Sequence, residues 1–262
     1  MRFKNYLLIL IGSLILAIAP HTKAYADDIL KGAKTPTNWQ FDQRVSYSSQ
    51  EKKNKITGKE EKTRVLTTNT LLKYRSDGDK LGVWGFTNLP YKSIDAPTGK
   101  ESGIGDFTIG VGPRGRFGNL YWQLYTSLTM PTGETEGKVP LGNGRTDLSL
   151  GLLSTYLTDD QKFEIDGALE YKITGENKLD INPPNELYGG LLAGGKLTEK
   201  IRFATGVTGL LNENHDYVLN SRTVLRYTFS KRVHLEAVFD KGLESRDMPK
   251  GSSIGIFVRY NF

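Results

Sequence analysis

Between residues 161 and 174, Phe163, Ile165, Gly167, Leu169, Tyr171 and Ile173 alternate with Glu164, Asp166, Ala168, Glu170 and Lys172. Successive side chains of a strand point to opposite faces, so this segment has one apolar wall and one charged wall. Segments of this kind recur from residue 37 to the end. There are about twelve, each about 9 to 11 residues or slightly longer, the length a tilted strand needs to cross a bilayer. The segment 217–229 sets Tyr217, Leu219, Leu225, Tyr227 and Phe229 against Asn220, Arg222 and Arg226, and 232–241 sets Val233, Leu235, Ala237 and Phe239 against His234, Glu236 and Asp240. In the final strand Ile254, Ile256, Val258, Tyr260 and Phe262 share one face, opposite Gly255, Arg259 and Asn261, and Phe257 breaks the alternation. Strands before residue 100 and the Gly-rich 185–197 are less regular.

A half-buried strand of a soluble β-sandwich has the same period, so the connections must decide. Short links at 75–80, 117–119, 158–161, 198–200 and 230–231 alternate with longer polar ones at 50–59, 91–102, 131–144, 175–185 and 241–251. Residues 212–215 form a brief link where a long one is due. This alternation is that of a membrane barrel with one rim toward the periplasm and one toward the exterior, and closure removes exposed strand edges. The expected fold is all-β: a closed antiparallel transmembrane β-barrel over 37–262, with about twelve strands and both termini periplasmic.

Arg2 and Lys4 precede an apolar run from Tyr6 to Ile18, and Ala24-Tyr25-Ala26 supplies small residues at a cleavage site. Residues 1–26 therefore read as a signal peptide, and 27–36 as a short periplasmic segment before the barrel. The expected destination is the outer membrane of a Gram-negative bacterium, with outer-membrane lipids and the barrel-assembly machinery, through the strand ending in Phe262, as partners. Residues 1–26 hold Arg2, Lys4 and Lys23 and no acid, which leaves 32 basic and 29 acidic side chains, net +3. The basicity largely belongs to the export signal, and no nucleic-acid partner is expected. With no cysteine, thiol catalysis, disulfides and thiolate metal sites are excluded.

Gly110-Val-Gly-Pro-Arg-Gly115 has dinucleotide-loop spelling, but Pro113 and a strand replace the helix whose amides would face a pyrophosphate. It reads as glycines in a barrel wall, and no cofactor is expected. After the export signal the histidines are His215, in an outer-rim link, and His234, near the inner rim, both read as solvated rim residues. Neither has the paired-ligand spacing of a metal site or an evident serine and acid, so no catalytic or metal residues are assigned. The candidate solute-binding set faces the lumen: Asp166, Glu170, Lys172, Arg222, Arg226, Glu236 and Arg259. A turn at 229–231 would set Val224 beside Glu236, with Glu236 diagonally between Arg222 and Arg226. Such opposed basic and acidic walls either satisfy one another or impose a transverse field on a passing solute.

Ser102-Gly-Ile-Gly-Asp-Phe-Thr-Ile-Gly-Val111, Leu128-Thr-Met-Pro-Thr-Gly133 and Leu141-Gly-Asn-Gly-Arg-Thr-Asp-Leu-Ser-Leu-Gly151 together resemble the transporter-like outer-membrane barrels labelled for the phenol meta-cleavage pathway. The likeness runs from about residue 100 to 262. It implies a channel for small solutes, hydrophobic or aromatic ones among them. With the residues, the expected function is an outer-membrane channel passing small solutes through a charged narrow lumen, and no enzyme. The alternatives are an outer-membrane lipid hydrolase, and an adhesin or scaffold barrel acting through loops 91–102 and 131–144.

Overall fold

The computed structural model describes residues 39–53, 60–76, 81–176 and 183–262, so the expected signal peptide and the segment 27–36 lie outside the described residues. Thirteen strands build the wall: β1 (Trp39–Lys53), β2 (Glu60–Arg75), β3 (Leu81–Ala96), β4 (Gly99–Ile104), β5 (Phe107–Phe117), β6 (Leu120–Met130), β7 (Asp147–Leu157), β8 (Phe163–Ile173), β9 (Glu186–Lys196), β10 (Ile201–Asn212), β11 (Tyr217–Thr228), β12 (Val233–Arg246) and β13 (Lys250–Asn261). All pairings between them are antiparallel, and β1 binds both β2 and β13, so the sheet closes on itself. Strands β4 and β5 both pair with β3, end to end, and make one interrupted wall position. The cylinder thus has twelve wall positions.

The apolar alternation points outward. Ile254, Ile256, Val258 and Phe262 are exposed, as are Leu124, Leu150, Ile165, Leu169 and Leu225, while the intervening charged residues are buried inside. A large exposed apolar band on a cylinder is the lipid face of a membrane barrel. Aromatic pairs flank it at the rim of the short links: Trp39 with Tyr74, Phe117 with Trp122, Tyr227 with Phe229, and Tyr260 with Phe262, at centroid separations of 4.7–6.0 Å. Both ends of the barrel meet at that rim, where the Phe262 N–H donates to the Trp39 carbonyl. In outer-membrane barrels the rim of short turns is the periplasmic one.

The opposite rim differs from expectation. Links 91–102 and 241–251 are mostly strand: β3 runs to Ala96 and β4 starts at Gly99, and β12 runs to Arg246 while β13 starts at Lys250. These extensions stand above the lipid band, where neither face needs to be apolar, so they carry no period-2 hydrophobic signal. The segment 131–146 is a true long link, and it folds inward: Val139 and Leu141 are buried against Val65, Ile94 and Ala96 on the inner face of β2 and β3. It is therefore placed differently from a freely projecting adhesive loop.

Candidate functional site: a layered lumen

Every residue of the sequence-derived set faces the interior and is buried: Asp166, Glu170 and Lys172 on β8, Arg222 and Arg226 on β11, Glu236 on β12 and Arg259 on β13. The arrangement of these residues differs from the expected register. Arg226 pairs directly with Glu236, Val224 with Val238 and Arg222 with Asp240. The β11–β12 turn is longer than expected because the Ser230 hydroxyl accepts the N–H groups of Arg232 and Val233, which holds four residues in the turn and shifts β12 by one pleat. Cross-strand ion pairs replace the diagonal arrangement: Arg226 Nε donates to Glu236 Oε1 at 2.7 Å, and Arg222 binds both oxygens of Asp240 at 2.7 and 3.1 Å.

Near the short-link rim the Arg226–Glu236 pair joins a network centred on Asp42, which sequence reasoning missed. Asp42 faces Arg259 across the β1–β13 seam. Its carboxylate accepts from Lys73 Nζ at 2.6 Å, Arg44 Nη2 at 2.9 Å, Arg259 Nε at 3.1 Å and Gln40 Nε2 at 2.7 Å. Arg259 also reaches Glu236 Oε1 at 3.0 Å, so the network spans β12, β13, β1 and β2. Asp42 lies in a strand that reads as blurred because polar residues flank it on both faces. His234 is part of this layer, 5% exposed, with Nδ1 3.1 Å from Thr228 Oγ1 and Nε2 3.3 Å from Asn261 Nδ2. The solvated-rim expectation fails for it because its side chain points inward, and holds for the exposed His215.

Acidic groups lie across the barrel. Glu164 pairs with Arg202, Thr155 Oγ1 donates to Asp166 at 2.5 Å, the Tyr125 hydroxyl donates to Glu170, and Lys172 pairs with Glu186 at 2.6 Å. Among the described residues, strands β11–β13, β1 and β2 bury six basic groups (Arg44, Lys73, Arg75, Arg222, Arg226, Arg259) against the three acids Asp42, Glu236 and Asp240. From Arg145 to Glu186 the balance inverts, with Asp147, Glu164, Asp166, Glu170 and Glu186 against Arg145 and Lys172. The transverse charge separation is therefore present, but local pairing blunts it.

Above the Asp42 layer lies an apolar belt. Leu192, Ala204, Val224, Val238 and Phe257 form one cluster on five successive strands, and Trp84, Phe86, Tyr125 and Leu153, with Ala168 against them, form a second. With the fully buried Leu71 on β2, each of these residues sits three to five positions from the short-link end of its strand. The belt is continued over β1 by Arg44, whose guanidinium carbon lies 4.9 Å from the centre of the Phe257 ring. Phe257, the residue that breaks the final strand's pattern, is thus an aromatic member of an internal apolar ring. Glycines make room for the rings: a Cβ on Gly110 would lie 2.4 Å from the Phe86 ring, and one on Gly151 would lie 2.1 Å from Tyr125. The G-x-G-x-x-G spelling is therefore wall packing.

Toward the other rim, the three motifs that carry the family resemblance meet at one point. The Asp106 carboxylate accepts the N–H of Gly133 at 3.0 Å and that of Asn143 at 2.5 Å. Asp147 accepts Arg145 Nε at 2.7 Å and the Gly175 N–H at 3.1 Å.

The family described as "Putative MetA-pathway of phenol degradation" matches residues 63–259. The chain belongs to this family. Among solved structures it is similar to the COG4313 outer membrane channel from Pseudomonas putida F1, at 16% identity and a TM-score of 0.76, covering 87% of this chain and 97% of that one. It is also similar to the translocator domain of the autotransporter NalP from Neisseria meningitidis (13% identity, TM-score 0.59, covering 92% and 93%). A third is the TodX deltaS2S3 mutant monoaromatic hydrocarbon channel (9%, 0.55, covering 87% and 91%). At these identities the likeness establishes the outer-membrane barrel fold. No curated protein matches the chain. The family label and the sequence resemblance agree, and the first third, where the strands read least regularly, is included from residue 63.

One rim contact lies outside the membrane-crossing strands and titrates. Glu213 is held below the usual carboxylate range by the Asn185 side-chain amide and N–H and by the Tyr171 hydroxyl. A depressed folded-state pKa contributes stability above the unfolded value that is lost as pH falls through the folded one. In Asn185→Ala the Glu213 carboxyl should titrate closer to its ordinary value, read by NMR on the labelled side chain.

Proposed function

We propose that this protein is an outer-membrane channel for small, neutral hydrophobic solutes, aromatic ones included. The observation that carries this reading is the internal apolar belt. A pore for ions or sugars gains nothing from a ring of Leu, Val, Phe and Trp in its lumen, because an apolar section dewets and an ion there sheds its hydration. An aromatic ring of roughly 200 Å² gains about 5 kcal/mol on leaving water at roughly 25 cal/mol per Å², before ordering costs, whereas a bare ion pays several. The belt side chains are buried against one another, so a solute passes by displacing them and replacing the contacts they give up. Charged residues paired with one another lie on either side of the belt. The lipid partner is the bilayer around the exposed apolar band, export relies on residues 1–26, and the barrel-assembly machinery takes the strand ending in Phe262. The family label, and the names of the monoaromatic hydrocarbon channels among the similar structures, support the solute class. A channel reading rather than a hydrolase is supported by the placement of both histidines, one exposed at a rim turn and one beside Thr228 and Asn261.

Cells with an intact outer membrane that express the protein should take up radiolabelled toluene at limiting concentration faster than vector controls, while the purified barrel shows little ionic conductance in a planar bilayer. Phe257→Arg, verified as folded by its heat-shifted gel band, should return uptake to the control rate. Equal uptake with and without the wild-type protein, or a large steady ion current, overturns the reading.

A further inference from the structure

We propose that Asp106 is a positioning residue: it latches segment 131–146 inside the outer mouth, and the latched segment sets the size limit for solutes. The inference rests on the channel reading and deepens it.

The wall is built to present this carboxylate. Strand β3 pairs Asn88 with Thr108 and then Tyr91 with Ile104, so its partner carries one extra residue at the β4–β5 join. The step falls beside Pro90, which has no N–H to lose, and the Pro90 carbonyl accepts the Gly105 N–H at 2.8 Å. The bulge re-aims Asp106 inward, where it is buried. One oxygen takes the Gly133 N–H on the descending leg of the segment and the other takes the Asn143 N–H on the returning leg, so a single side chain ties both legs. The legs are close enough there that a Cβ on Gly142 would lie 2.3 Å from Asp106 Oδ1 and 2.8 Å from Gly133 Cα. Lys92 Nζ donates to the Leu141 carbonyl at 2.9 Å, a second tie from β3. Between the ties the tip residues Val139 and Leu141 dock on Val65, Ile94 and Ala96. A segment so held occupies cross-section at the entrance, and it can be released without touching the belt below.

The chain has no cysteine, so Val139→Cys gives a unique thiol at a position only 3% exposed. In whole cells a membrane-impermeant maleimide should label it slowly. Adding Asp106→Ala should speed labelling at least about tenfold, since each charge-assisted hydrogen bond lost is worth about that factor in an opening equilibrium. In the cysteine-free background, Asp106→Ala should raise uptake of naphthalene relative to toluene severalfold. Asp106→Asn and Lys92→Met should give intermediate labelling rates, and they carry the test if Asp106→Ala lacks the folded gel band. Unchanged labelling in all of these variants overturns the latch. Faster labelling with an unchanged naphthalene-to-toluene ratio overturns the size limit. Absence of toluene uptake by the wild type is the failure of the channel reading, and the labelling comparison still decides the latch.

Discussion

Asp42→Ala is expected to destabilise the folded barrel by about 3–5 kcal/mol, the cost of leaving buried charge uncompensated. The carboxylate is 1% exposed and faces Lys73, Arg44 and Arg259. Removing it leaves three guanidinium or ammonium groups crowded together in a section where little water reaches them. The loss also falls on the seam, because Asp42 and Arg259 are register partners on the first and last strands. Equilibrium urea unfolding of the refolded barrel in lipid, followed by tryptophan fluorescence, measures it. A second substitution, Lys73→Met in the Asp42→Ala background, should recover part of the loss, since an apolar side chain of similar length costs less there than a stranded ammonium. A change below about 1 kcal/mol in Asp42→Ala would show that water reaches the seam and screens it.

Ile256→Arg should cost about 2–4 kcal/mol, the penalty for a guanidinium on the lipid face near the bilayer midplane. Ile256 sits midway along β13, is 54% exposed, and lies between Val45 and Ala237 on the neighbouring strands. The same unfolding assay reads the effect, and the fraction that reaches the heat-shifted folded form should fall with it. Its sequence neighbour Phe257, on the opposite face, is the contrast: Phe257→Leu should leave stability within about 1.5 kcal/mol of wild type, because the belt keeps an apolar side chain of nearly the same volume. Equal penalties at the two positions would mean that the faces are not lipid and lumen.

Lipid contact makes much of this protein readable from its chain. Lipid replaces water outside the barrel, so most outward positions are apolar, the polar ones pairing with each other as Gln43 does with Thr70 and Thr205 with Thr223, and the regular crossings show a period of two. Residues 161–174 gave the correct faces for β8, and the terminal strand gave Ile254, Ile256, Val258 and Phe262 as outward. The same rule placed Asp166, Glu170, Lys172, Arg222, Arg226, Glu236 and Arg259 in the interior. It failed above the lipid band, where the β3–β4 and β12–β13 extensions have no regular apolar outward side to announce them. It also failed for Phe257, because an apolar residue facing inward breaks the period and reads as an irregularity.

The chain's own alternation fixed a closed lipid-facing barrel with a polar interior, since local side-chain direction and the solvent on each side are all that this requires. Which interior groups meet was decided by the tertiary structure. Register depends on turn geometry such as the Ser230-capped turn, and pairing across the β1–β13 seam joins residues 217 positions apart. The apolar belt and the convergence of Asp106, Gly133 and Asn143 arise only when the sheet curls, because curvature brings together side chains that no local spacing relates.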